Sequence, residues 1–242
     1  LHEQFKLEYP KSDWIAYDSI SQENQISGIH SLINNKVLPI FQFDKANIVL
    51  SVDSDFLGSD LNSIHNQKTF SKRRKIKSKA DTMNRLYSVE SNLTPTGMMA
   101  DHRLKIKPSD VYSFIAALNN TLFSSGLKGL KKINYSKALP SDNYSKKFLK
   151  ALSDDLLKNK SKSIITIGAD LDSELHSLVY LINQELLNNN KTIFYHKCDD
   201  ALLSNSKNVK NLIQKIKSKK IDTLLVLDVD FYHQFSHYFD KD

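Results

Sequence analysis

The stretch Ala46–Ser59, ANIVLSVDSDFLGS, limits what this chain can fold into more than any other. Ile48–Val52 is mostly β-branched or aliphatic and passes straight into Asp53-Ser54-Asp55, Phe56 and Gly58. A continuous apolar run of that length reads as a strand buried on both faces. Such strands belong to parallel sheets covered by helices. In an open α/β sheet, ligands bind outside the carboxyl ends of the strands, so Asp53–Gly58 stands where a ligand would sit. The pattern recurs at Ile221–Phe231, IDTLLVLDVDF. Laid over Ala46–Phe56 without a gap, Asp53 falls on Asp228, Asp55 on Asp230 and Phe56 on Phe231. Two strand ends of one design point to two similar α/β units facing a shared cleft.

The rest of the chain alternates in the same sense. Asp13–Tyr17 is a short strand candidate, and Ser21 is placed to cap a helix carrying Ile26, Ile29 and Ile33. Arg85–Glu90 and Leu104–Ile106 read as extended, and Ser109 opens a helix with Val111, Phe114, Ile115, Leu118 and Leu122 at helical spacing. Residues 124–143 hold two glycines and a proline among polar residues and mark a domain boundary. Beyond them a helix over Ser145–Lys158, a strand over Ser163–Gly168, a helix with Leu175, Leu178, Val179, Ile182 and Leu186, and a strand over Lys191–His196 follow. A helix with Val209, Leu212, Ile213 and Ile216 and a last strand over Asp222–Leu227 complete the series. The expected architecture is α/β, with two Rossmann-like lobes built on doubly wound, mainly parallel sheets: residues 1–135, with a basic loop over 60–81, and residues 136–242. Leu1 is not a methionine and the chain stops just past the second strand end, which reads as a piece of a longer polypeptide.

Of the 242 residues, 34 are basic and 27 acidic, for a net charge of +7. Seven of those positive charges fall in the twelve residues Lys68–Lys79, which reads as a solvated loop, with an anion or partner contact as the alternative. Lysine far outnumbers arginine and Asn, Ser and Ile are abundant, so the excess reads as residue-usage bias, and no nucleic-acid partner is expected. The single cysteine, Cys198, excludes an internal disulfide and any four-cysteine zinc or iron–sulfur site made by this chain alone. The eight histidines show no HxH or HxxxH pairing, and six glycines include no Gly-x-Gly-x-x-Gly and no P-loop.

An apolar strand ending in Asp-x-Asp supports three chemistries. Haloacid-dehalogenase-like phosphatases use the first Asp as nucleophile and the second as general acid beside Mg²⁺, but they need Thr or Val two residues past the second Asp, where this chain has Leu57 and Tyr232. Sugar-nucleotide transferases use Asp-x-Asp to hold Mg²⁺ or Mn²⁺ against a diphosphate. Alternatively, the carboxylates accept backbone N–H bonds at the strand end or at the next helix N-terminus.

Taken together, ANIVLSVDSDFLGS, the Lys-Arg-Arg run, Met83–Pro108 (MNRLYSVESNLTPTGMMADHRLKIKP) and Ser163–Tyr195 (SIITIGADLDSELHSLVYLINQELLNNNKTIFY) resemble the molybdopterin oxidoreductase superfamily. The likeness is greatest to the cofactor-free region of the large iron–sulfur subunit of alternative complex III, a quinol:cytochrome c oxidoreductase. It extends from about Pro10 to Phe231. In molybdenum enzymes of the superfamily the positions matching Asp53-Ser54-Asp55 and Asp228-Val229-Asp230 carry Gly-x-Asn, where glycine and backbone N–H groups admit a pyrophosphate. Two desolvated carboxylates beside each phosphate would repel it by on the order of several kcal/mol. The resemblance therefore implies a degenerate pterin site, no molybdenum and no cofactor in this segment, with iron–sulfur clusters elsewhere in the parent chain. It implies a non-catalytic scaffold whose partners are that iron–sulfur region and other subunits of a membrane complex, including a multihaem cytochrome, at the periplasmic face, the segment itself being soluble. His102, Arg103 and His176 fall in the family's recurrent segments and are expected to make interlobe hydrogen bonds. A fragment of an active molybdopterin oxidoreductase, and a Mg²⁺- or Mn²⁺-dependent enzyme acting on phosphorylated substrates, are the alternative readings.

Overall fold

The computed structural model describes residues 1–135, 143–199 and 203–236. The chain runs through α1 (His2–Glu8), α2 (Glu23–Ile33), β1 (Val37–Phe41), β2 (Ile48–Val52), α3 (Ser63–Arg74), β3 (Arg85–Glu90), α4 (Pro95–Met98) and β4 (His102–Lys105). It continues through α5 (Val111–Ser124), α6 (Asn143–Lys158), β5 (Ser163–Ile167), α7 (Ser173–Glu185), β6 (Ile193–Lys197), α8 (Ser206–Lys217) and α9 (Phe231–Phe235). Two compact units result, Asn24–Lys197 and a second made by Leu1–Glu23 with Cys198–Asp242.

The larger unit is an α/β fold on a four-stranded parallel sheet in the order β4-β3-β2-β5. Both faces of the sheet are covered, which is why the central strand β2 and its neighbour β5 are buried at every residue, while the edge strand β4 is largely exposed. On one face Ile48, Leu50, Val52, Tyr87, Val89, Ile165 and Ile167 join a core filled by α5, α6 and α7. On the other, the alternate residues Val49, Leu86 and Ile164 meet Phe43, Phe56, Phe70 and Ile193. There the Phe43 and Phe56 rings stack with centroids 4.3 Å apart, and Phe70 meets both edge-on. Helices follow from spacing: Phe148, Leu152 and Leu156 of α6 recur every fourth residue and are buried. Beside the sheet β1 and β6 form an antiparallel pair, and Pro39, which has no N–H to give, sits in this two-stranded ribbon opposite Tyr195.

The free edge of β5 is closed by side chains. The Asn183 amide accepts from the Ile165 N–H (3.2 Å) and donates to the Ile165 carbonyl (2.9 Å), doing what a neighbouring strand would do. Asn188 accepts from the Ser163 N–H, and Thr192 donates to the Ser163 carbonyl at 2.6 Å. Asn188 also donates to Asn183 at 3.0 Å, so the plug is one connected network, and Asn183, Asn188 and Thr192 are all buried.

In the smaller unit, Val209 and Ile213 of α8 pack with Phe235, and Ile15, Tyr17, Val229 and Phe231 lie against them. Asn205 caps α8 by accepting from the Lys207 and Asn208 N–H groups. Trp14 meets the rings of His2 and Phe5 edge-on.

Several expectations change. The basic stretch 60–81 is not a loop throughout, because Asn66, Thr69 and Phe70 give α3 a buried side. Ser163–Ile167, expected in a second lobe, is hydrogen-bonded to β2 in the first sheet. Leu127 and Leu130, in the expected boundary, are buried in the same core as α5; residues 136–142 of that boundary lie outside the described residues. Ile193–Lys197 pairs antiparallel with β1 rather than joining the parallel sheet. Of Asp13–Tyr17 only Ala16 makes a β-bridge, to Ser204. Asp222–Leu227 forms no strand: it has no ladder partner among the described residues, and Leu224, Leu225, Val226 and Leu227 are exposed, Leu225 to 65%. Among the described residues, no helix is long and apolar enough to cross a membrane.

The edge plug makes a direct prediction. Asn183→Leu strands the buried N–H and C=O of Ile165 and is expected to cost about 2–4 kcal/mol, measured by urea unfolding followed by circular dichroism. A loss under about 0.5 kcal/mol, the range of a surface change, would mean the network does not hold the edge.

Candidate functional site

The sheet order places a topological switch point between β2 and β5. From β2 the chain steps outward to β3 and then β4, and returns to the other side of β2 as β5. In open α/β sheets this is where ligands bind. The residues leaving the two strands there are Asp53-Ser54-Asp55 and Gly168-Ala169-Asp170.

Asp53 turns the chain with a left-handed backbone, φ 46°. Its N–H donates to the Val89 carbonyl, and one carboxylate oxygen accepts from the Ser91 N–H at 3.0 Å. Asp55 takes more donors. Its Oδ1 accepts from the Thr96 N–H (3.1 Å) and hydroxyl (2.8 Å), and its Oδ2 from the Ser59 N–H at 3.1 Å. Both carboxylates are therefore occupied with the loops that follow β2 and β3. The Ser54 hydroxyl, buried, donates to Asp60 at 2.6 Å. Burial raises the Asp60 carboxyl above its usual range, with Asp55 and Asp170 adding to the effect against the Ser54 hydrogen bond.

Across the switch point the backbones touch. Gly168 donates its N–H to the Val52 carbonyl at 3.0 Å, and a Cβ at Gly168 would lie 2.3 Å from the Asp53 carbonyl oxygen. There is no room for a methyl group between the two exits, and only glycine fits at 168.

Asp228-Val229-Asp230 repeats part of this conformation in the smaller unit. Asp228 is left-handed like Asp53, φ 55°. Asp230 accepts from the His233 N–H at 3.0 Å as the cap of α9, as Asp55 accepts from Ser59. Val229 is half-buried, while Asp228 and Asp230 are exposed. The likeness is one of local turn chemistry, since no strand precedes Asp228. Among the described residues, no cluster of three or more His, Cys, Asp or Glu side chains is arranged to hold a metal ion.

The other singled-out residues lie within the larger unit. His102 is exposed at the start of β4, its ring stacked on Tyr87 with centroids 4.8 Å apart. The Tyr87 hydroxyl donates to Asp155 of α6 at 2.7 Å; burial, then that hydrogen bond, push it up to about 12. Arg103 donates through Nε to Glu90 at 2.6 Å, across neighbouring strands. Glu90 is 2% exposed and also accepts from the Thr94 hydroxyl at 2.7 Å, while Thr94 caps α4 by accepting from the Gly97 N–H. His176 of α7 is 4% exposed, and its Nε2 has no partner among the described residues. Burial lowers it to about 4, against the opposite pull of the Ala169 carbonyl and the Asp170 carboxylate.

Ser91, Thr96, Glu90 and Gly168 were not singled out from the sequence, yet they organise the site. Thr94-Pro95 carried a readable signal, an N-cap threonine followed by proline at the first helical position. The others depend on which loops the sheet order brings together. No protein-family model matches the chain, and comparison with curated proteins gave no match.

Two predictions test these buried charges. In the unfolded chain His176 titrates near 6.5, and in the fold at about 4, so the unfolded state takes up the proton first as pH falls. Its contribution is whole above pH 6.5 and is lost between pH 6.5 and 4, by about 3 kcal/mol in all. Urea unfolding across that range should show the loss, and His176→Gln should remove this part of it. Arg103→Met leaves Glu90 buried without its cation and is expected to cost about 3 kcal/mol, with much of it regained in the double variant with Glu90→Gln. Equal stability of the single and double variants would refute the pairing argument.

Proposed function

We propose that this chain is a non-catalytic α/β scaffold related to the molybdopterin oxidoreductases, of the kind found in the large iron–sulfur subunit of a quinol:cytochrome c oxidoreductase. The reading is carried by the state of the switch point. A pyrophosphate needs free backbone N–H donors and open space at the strand ends. Here the N–H groups of Ser91, Thr96 and Ser59 are bonded to Asp53 and Asp55, and the Asp53 carbonyl lies against Gly168. Admitting a dinucleotide would require breaking several charge-assisted hydrogen bonds, each worth about 1.5–3 kcal/mol, and placing phosphate beside the released carboxylates.

In this role the sheet and its helices act as a rigid body. They support a cluster-bearing region of a longer chain and dock neighbouring subunits, a multihaem cytochrome among them, at the periplasmic face of a membrane. Asp53 and Asp55 then serve as backbone caps rather than as metal ligands or nucleophiles.

Purified protein should contain no stoichiometric molybdenum or tungsten by mass spectrometry and release no pterin fluorescence on oxidation. One equivalent of pterin would sink the proposal in favour of an active molybdopterin enzyme. Calorimetric titration with Mn²⁺ and a nucleotide sugar should give no heat. A saturable one-site isotherm abolished by Asp55→Asn would instead establish the metal-dependent enzyme.

A further inference from the structure

The basic run that the scaffold reading leaves unused is sorted by the fold into two groups. Lys72 pairs with Asp44 at 3.2 Å, and Arg73 donates to Asn47 at 2.6 Å. Arg74 makes a two-pronged contact with Asp101, at 2.9 and 2.7 Å, and lies over the Phe70 ring at 5.0 Å. These three residues fasten α3 to the segments that lead into β2 and β4. Lys68, Lys75, Lys77 and Lys79 are exposed and form no ion pair among the described residues.

The lysine segment is a built turn. Asp81 accepts from the N–H groups of Lys77 and Ser78, each at 2.8 Å, and these bonds hold its carboxyl below the usual range. Like charges gathered on one turn repel one another, and among the described residues the ammonium groups of Lys75, Lys77 and Lys79 make no ion pair, the Asp81 carboxylate being bonded to backbone N–H groups. Apolar residues sit among them: Ile76 is 49% exposed, and Ile64 on the outer side of α3 is 82% exposed.

We propose that the outer side of α3 and the Lys75–Lys79 turn form a docking surface for an acidic protein partner. The inference goes beyond the scaffold reading and does not rest on it. Three features favour an acidic protein over other polyanions. Both arginines of the run, the residues suited to two-pronged phosphate contacts, are turned onto Asn47 and Asp101. Phe70, the only aromatic of the run, is buried, so no ring is offered for base stacking. Interleaved lysine and isoleucine match the mixed apolar and charged character of a protein interface, and two exposed isoleucines are too few to anchor a membrane surface.

The test measures binding of a fluorescein-labelled deca-glutamate peptide to the full chain by anisotropy at low salt. The variant Lys68→Gln/Lys75→Gln/Lys77→Gln/Lys79→Gln should weaken binding about tenfold or more. A control of equal charge loss on α6, Lys146→Gln/Lys147→Gln/Lys150→Gln/Lys158→Gln, should change it less than about twofold, since a local surface rather than net charge is read. Circular dichroism melts of both variants establish that they fold. Equal losses in the two variants overturn the proposal, as does tighter binding of a DNA duplex or of phosphatidylserine vesicles than of the peptide.

Discussion

The pairing of β2 on both of its sides is the constraint on which the larger unit depends. Each residue from Ile48 to Val52 is buried and faces a register partner in β3 and another in β5. A strand so enclosed has no solvent to satisfy its backbone, so every N–H and C=O must find a partner in the sheet. Its alternating side chains feed two cores at once, Leu50 toward α5–α7 and Val49 toward the phenylalanine cluster. The position of the switch point follows from that enclosure, because the chain leaves β2 between the exits of its two neighbours. A deletion within Ile48–Val52 would disturb both cores together.

At the exit of β2 the electrostatics are local. The carboxylates of Asp53 and Asp55 meet N–H groups that the loops after β2 and β3 could not otherwise satisfy, and Glu90 meets Arg103 and Thr94 in the same region. Negative charge is thus spent on holding turns. The same economy appears at Asp230, which caps α9. Carboxylates in these roles stabilise a particular loop conformation by bonds to named amides, and they stand apart from carboxylates that wait for a cation.

Much of the fold could be read from residue order. Ile48–Val52 and Ser163–Ile167 are mainly apolar runs short enough for strands, Arg85–Glu90 carries Leu86, Tyr87 and Val89 between charged ends, and the stripes of α5, α6, α7 and α8 have helical spacing. What could not be read is what depends on distant pairing. Ile193–Lys197 has a strand composition, but only its partner, Val37–Phe41, places it outside the parallel sheet. Asp222–Leu227 has the composition of a buried strand and no ladder among the described residues, because composition records the capacity to pair and not the presence of a neighbour. The lysine-rich stretch hid α3, since charge suggested a loop while only Asn66, Thr69 and Phe70 face inward. Of the site, Asp53 and Asp55 were legible at the strand end. Their donors were not, since Ser91 and Thr96 reach them only once β3 lies beside β2.

The side chains along β5 determine where the sheet stops. A parallel sheet has no intrinsic last strand: each edge presents the same groups as the one before it, and growth continues until something else takes them up. Asn183, Asn188 and Thr192 take them up here, so the terminus of the sheet is encoded outside the strands, in the end of α7 and the turn after it. Sheet width is then a property separable from strand sequence. A lineage could widen this fold by altering Asn183, Asn188 and Thr192 while leaving every strand residue as it is.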